Sequence, residues 1–168
     1  MSFSLAAYAK EGRMALFDKH GLLTPGTHDM SLEDVREQFG SFQRTDCRPR
    51  LFARLRNFIE QVSAVSQEIR VIIDGSFIMR DVEEPGDIDV LLILPVSWDF
   101  SDNLAPFKYN IVSKRMVRRL FGFDMLVAQA GTDVETDALA FFSQVNTKWQ
   151  DRLRIPAGVV KGLVRIKP

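Results

Sequence analysis

The run Ile72-Ile73-Asp74-Gly75-Ser76 ends in Gly-Ser, and ten residues later a second aliphatic run opens as Asp87-Ile88-Asp89-Val90-Leu91-Leu92. Both runs are strand-sized, rich in β-branched residues and bounded by breakers, Gly75 after the first and Pro95 after the second. Side chains alternate along a strand, so Asp87 and Asp89 are expected on one face, about 7 Å apart along the chain. Two adjacent carboxylates repel unless a cation sits between them. A divalent, oxygen-preferring ion fits that need, and Mg²⁺ is favoured where phosphates complete the shell. Gly75 lets backbone approach a phosphate closely, and Ser76 adds a hydroxyl beside free backbone N–H groups. The plainer alternative makes both acids solvated residues at a strand start after the Pro85-Gly86 turn.

Working outward, Leu51, Leu55, Phe58, Ile59, Val62 and Val65 recur at helical spacing and predict an amphipathic helix from about Pro49 to Val65. Residues 69–73, 87–94 and 123–128 are expected as strands, and Val112–Leu120 as a helix. Ser31 followed by Asp34 reads as an N-cap, with Met30 and Val35 placed as a hydrophobic staple and Gly40 as the stop. Thr132 with Glu135 opens another helix, whose buried face is expected to carry Val134, Ala138, Phe141, Phe142 and Val145. Val159–Ile166 alternates apolar and basic residues, which suggests an edge strand dressed by Lys161, Arg165 and Lys167. Helices interleaved with several strands predict an α/β (α+β) domain around a mixed sheet of three to five strands.

The chain has 168 residues, enough for one domain, with 46% hydrophobic and 26% charged residues. Residues 1–46 have turns and caps but a thin apolar pattern, so they are expected to wrap the core or meet a partner. Basic and acidic residues balance at 22 each, which removes the usual electrostatic argument for nucleic-acid binding without excluding RNA and leaves no strong DNA-binding signal. The single cysteine, Cys47, excludes an internal disulfide and suits a reducing cytoplasm. No apolar run is long enough for a signal or a membrane span, so a soluble cytoplasmic protein is expected. His20 and His28 offer no zinc spacing with Cys47.

The Gly-Ser, ten-residue, Asp-x-Asp arrangement resembles the nucleotidyltransferase superfamily typified by DNA polymerase beta, and most closely its minimal bacterial members. The resemblance covers residues 69–127. It implies a third acid at the start of a neighbouring strand, a context that Asp124 occupies in Gly122-Phe123-Asp124-Met125-Leu126-Val127. Fainter likeness to uncharacterised bacterial nucleotidyltransferase-like proteins lies in Leu23-Thr24-Pro25-Gly26-Thr27-His28 and in Lys161-Gly162-Leu163-Val164-Arg165-Ile166.

From that resemblance follows a set of expectations. Asp87, Asp89 and Asp124 would hold Mg²⁺ (or Mn²⁺) and serve catalysis, and Gly75 and Ser76 would hold the β- and γ-phosphates of a nucleoside triphosphate. The product would be a nucleoside monophosphate transferred to a hydroxyl of a protein or RNA acceptor. Lys114, Arg115, Arg118 and Arg119 stand between the second and third strands, either to neutralise the triphosphate or as a solvated helix face. The alternative function is a catalytically inactive partner-binding module, as in a bacterial toxin–antitoxin pair. Arg13 with His20 faintly resembles a ribonuclease pair, and coincidence is the better account. Glu83 and Glu84 are expected in solvent, His28 within its own turn, and Trp98 and Trp149 partly in the core.

Overall fold

A computed structural model describes residues 16–167. Its five-stranded mixed sheet contains β1 (Thr27–Met30), β2 (Arg70–Asp74), β3 (Asp89–Leu94), β4 (Asp124–Gln129) and β5 (Leu163–Ile166), in the order β1-β5-β2-β3-β4. β2 runs antiparallel to both β3 and β5, while β1–β5 and β3–β4 are parallel pairs. The helices are α1 (Leu32–Val35), continued by a π turn over Arg36–Gly40, α2 (Cys47–Val65), α3 (Pro106–Val112), α4 (Lys114–Phe121), α5 (Asp133–Phe142) and α6 (Thr147–Leu153). The chain is thus an α+β domain, as its alternation of periodic segments predicts. Among the described residues no helix is long and apolar enough to cross a membrane.

Strand alternation divides the core. Val71, Ile73, Val90, Leu92 and Val164 face the long helix α2, whose Leu55 and Phe58 are fully buried against them. Phe58 meets the rings of Phe121 and Phe123 at 5.2 and 6.0 Å. The opposite face carries Ile72, Leu91, Ile93, Ala128 and Leu163, and among the described residues α5 covers it, through Ala138 and Phe142. This cover is thin and short. Asp74, Asp89 and Asp124 share the strand parity of Ile72, Leu91 and Leu126, so they stand on this less covered face.

Three local expectations change. Val159–Ile166 is no edge strand: β5 lies between β1 and β2, because the N-terminal segment adds β1 outside it. Gly162 allows that approach, since a Cβ there would lie 2.2 Å from the Thr24 carbonyl oxygen, and its N–H donates to the Leu23 carbonyl at 2.8 Å. The two outlying segments of the family resemblance therefore pack on one another. The helix over Val112–Leu120 is two helices, broken at extended Ser113, whose hydroxyl caps α4 at the Met116 N–H. On α5, Val134 and Phe141 are exposed, and Val145 lies past the helix end in a separate cluster with Leu22 and Met79.

The other N-terminal expectations concern packing. Ser31 and Asp34 form a reciprocal capping box, and Met30 and Val35 are both buried. Leu22, Leu23 and Phe39 are buried too, so residues 16–46 contribute side chains to the core. Arg13 lies outside the described residues.

Candidate functional site

Register brings the acids together. Asp89 pairs with Asp74 across β2–β3 and with Asp124 across β3–β4, while Asp87 sits two residues before β3. One carboxylate oxygen from each of Asp87, Asp89 and Asp124 lies within 4.8 Å of the others. Oxygens on opposite sides of one Mg²⁺ are about 4.2 Å apart, so the three acids suit a shared divalent ion with little movement. A second observation agrees with this donor set. Gly75 has φ +87°, and a Cβ there would stand 2.6 Å from Asp89 Oδ2, so only glycine leaves that carboxylate its place.

Charge at the site is unbalanced. Burial, then the neighbouring carboxylates of Asp87, Asp74 and Asp124, push the Asp89 carboxyl up to about 6, against the pull of Lys161. Burial also raises Asp87, aided by Asp124 and opposed by Arg118. Arg118 Nη1 donates to Asp124 Oδ1 at 2.5 Å and stands 3.5 Å from Asp87 Oδ2. Arg118 and Asp124 are well exposed and Asp87 is half-buried, so each pair contributes about 1 kcal/mol and yields to a stronger cation.

Beneath the triad lies a buried ion pair between Lys161 and Asp74, with Lys161 Nζ also donating to the Phe142 carbonyl at 2.5 Å. Burial raises the Asp74 carboxyl and Lys161 draws it back down. Lys161 thereby ties the end of α5 to the last residue of β2. On the far side of the Gly-Ser turn, the buried guanidinium of Arg48 donates to the carbonyls of Phe39, Phe77 and Met79 at 3.1, 2.7 and 2.8 Å and also to that of Val82. It braces the loop that follows Ser76.

Two cavities meet at Asp74 and Asp89. The polar one, about 250 Å³, is lined by Gly75, Ser76, Asp87, Lys148, Trp149 and Lys161 among others. The larger one, about 570 Å³, has Asp124 at its edge and walls of Met125, Leu126, Phe141, Phe142 and Val145. Of the residues expected from sequence, Gly75, Ser76, Asp87 and Asp89 line one cleft, and Asp124 joins them by register. Lys114 and Arg115 do not: both are exposed on the first turn of α4 and line neither cavity. On α4 it is Arg118, one turn further along, that reaches Asp87 and Asp124.

Other side chains were missed by sequence reasoning. Asp74 looked like a strand terminator and Lys161 like an edge charge, and no local pattern links residues so distant in sequence. Lys148 and Asn146 belong to α6 and its cap, where Asn146 Oδ1 accepts from the Lys148 N–H, a signal visible as Asn before a polar helix. His28 bonds within its turn as expected, Nε2 lying 2.6 Å from the Thr24 carbonyl oxygen. Trp98 packs partly against the core, and Trp149 is partly buried against the cluster that holds Val145.

No curated protein and no solved structure matches this chain. A family of unknown function (DUF6932) matches residues 15–167, nearly the full length, and the chain belongs to that family.

Proposed function

We propose that this protein is a metal-dependent nucleotidyltransferase, moving a nucleoside monophosphate from a nucleoside triphosphate to a hydroxyl of a protein or RNA acceptor. The observation that carries the proposal is the meeting of Asp87, Asp89 and Asp124 within 4.8 Å beside a cavity lined by Gly75 and Ser76. Mg²⁺ or Mn²⁺, when bound by the three acids, supplies charge neutralisation at the reacting phosphate and lowers the pKa of the attacking hydroxyl. Gly75 and Ser76 hold the terminal phosphates, with Lys148 as a cation on the same cavity wall. Asp124, the most exposed of the three acids, accepts the proton of the acceptor hydroxyl. Arg118 neutralises Asp87 and Asp124 until substrate arrives and then turns to phosphate oxygens. Lys114 and Arg115 are given no part in the chemistry. A reducing cytoplasm is the proposed setting, in keeping with the lone thiol of Cys47.

The test is a melting series on wild type, Asp89→Asn and Asp124→Asn, with Mn²⁺, a nucleoside triphosphate, both or neither. Wild type is expected to gain stability only with both ligands, and Asp89→Asn to gain none. Absence of any metal-linked shift in wild type favours the inactive, partner-binding alternative.

A further inference from the structure

The larger cavity is unlike its neighbour in charge and in wall chemistry. Three carboxylates line it and no Lys, Arg or His does, so an anionic group is repelled there. Its apolar wall includes Phe141, which is 63% exposed and, two turns after the exposed Val134, lies on the side of α5 turned from the sheet. A large aromatic ring left in water beside a cleft of about 570 Å³ has the setting of a ligand wall, within the size range of small-molecule sites. The polar cavity also has three carboxylates, Asp74, Asp87 and Asp89, but there Lys148 and Lys161 stand among them, and its one aromatic residue, Trp149, lies next to Lys148. Both share Asp74, Asp89, Gln144 and Asn146, so one molecule passing over Asp89 occupies both.

We infer that the larger cavity is a nucleobase subsite in which a purine ring packs on Phe141 while its polyphosphate lies in the polar cavity. The inference rests on the nucleotidyl-transfer reading for the identity of the ligand and adds the residue that reads the base. Aromatic stacking is tolerant of sequence but scales with ring area, so ATP and GTP are expected to bind ahead of CTP and UTP. Gln144 and Asn146 carry side-chain amides on the shared boundary, suited to hydrogen bonds with a base edge or ribose.

Because Phe141 is exposed, Phe141→Ala is expected to leave the fold intact, which makes it a usable probe. The experiment measures equilibrium binding of Mg·ATP, Mg·UTP, Mg·tripolyphosphate and adenosine to wild type, Phe141→Ala and Phe141→Tyr. Wild type is expected to bind Mg·ATP at least about tenfold tighter than Mg·tripolyphosphate, with Phe141→Ala erasing the difference and Phe141→Tyr restoring it. Phe141→Ala that binds Mg·ATP as wild type does overturns the subsite and leaves nucleotidyl transfer standing. Adenosine that binds wild type but not Phe141→Ala, with none of the three polyphosphates binding, keeps the aromatic subsite and sinks the transferase reading. If none of the four ligands binds, both fall.

Discussion

Asp89 and Asp124 are register partners across the parallel pair β3–β4, so two strands start side by side with a carboxylate each on the thinly covered face of the sheet. With Asp74 opposite Asp89 on β2, the row extends over three strands. Lys161 answers only one end of it. The middle carboxyl, Asp89, has a raised pKa of about 6. The folded protein thus holds that proton more tightly than the unfolded chain, so its contribution favours folding at low pH. That contribution is lost as pH rises from near 3.8 through about 6. Metal-free wild type is therefore expected to lose stability over that window, and Asp89→Asn to lose less. Urea unfolding at stepped pH in EDTA checks this, and parallel curves for the two proteins contradict it.

The buried pair of Asp74 and Lys161 leads to a second expectation. Lys161→Met strands a carboxylate among buried groups and should cost about 3–5 kcal/mol, more than most single changes. The double variant Asp74→Asn/Lys161→Met should recover much of that loss, because nothing charged is left unpaired. A double-mutant cycle by urea unfolding measures the coupling, and additive losses show that the pair does not act as a unit.

These two positions also show where sequence reasoning stops. Asp89 and Asp124 were legible because each opens an aliphatic strand, Asp87 because it stands two residues before one, and the Gly-Ser turn at Gly75 is a local signal with a steric reason. Lys161 was not legible, since its partner is 87 residues away and strand order is a long-range property. The same blindness put β5 at an edge: nothing within Leu163–Ile166 says that Thr27–Met30 will pair outside it. On α5, apolar spacing put Val134 and Phe141 in the core, although Ala138 and Phe142, with Leu139 partly buried beside them, meet the strip of sheet beneath. Phe141 is exposed beside the cleft, so an apolar pattern concealed a candidate ligand wall.

Gly75 offers a sharper structural test. Gly75→Ala would drive a methyl into Asp89 Oδ2 at a φ that L residues rarely adopt, at a cost of about 1–3 kcal/mol. Asp89 must move to relieve the contact, so the Mn²⁺-linked gain in stability should fall along with it. Calorimetric melting with and without Mn²⁺ and ATP reads both effects. A variant that melts lower but keeps the full ligand-induced gain shows that Gly75 does not place Asp89.

For the core, Leu55→Ala and Phe58→Ala should each cost about 2–5 kcal/mol, because both side chains are fully buried between α2 and the sheet. Val134→Ala, on the exposed side of α5, should stay within about 0.5 kcal/mol of wild type. Urea midpoints for the three variants separate the faces. Losses below about 1 kcal/mol at both α2 positions contradict the packing described for that helix.

The central claim is that the carboxylate row serves nucleotidyl rather than phosphoryl transfer, and the position of a radiolabel reports it. Wild type is incubated with Mg²⁺, protein and RNA acceptors, and ATP or GTP labelled at either the α- or the γ-phosphate. The account predicts that α-label becomes attached to an acceptor while γ-label leaves as pyrophosphate, both abolished by EDTA and by Asp89→Asn. Label that reaches an acceptor only from the γ-position, or no pyrophosphate release at all, contradicts it.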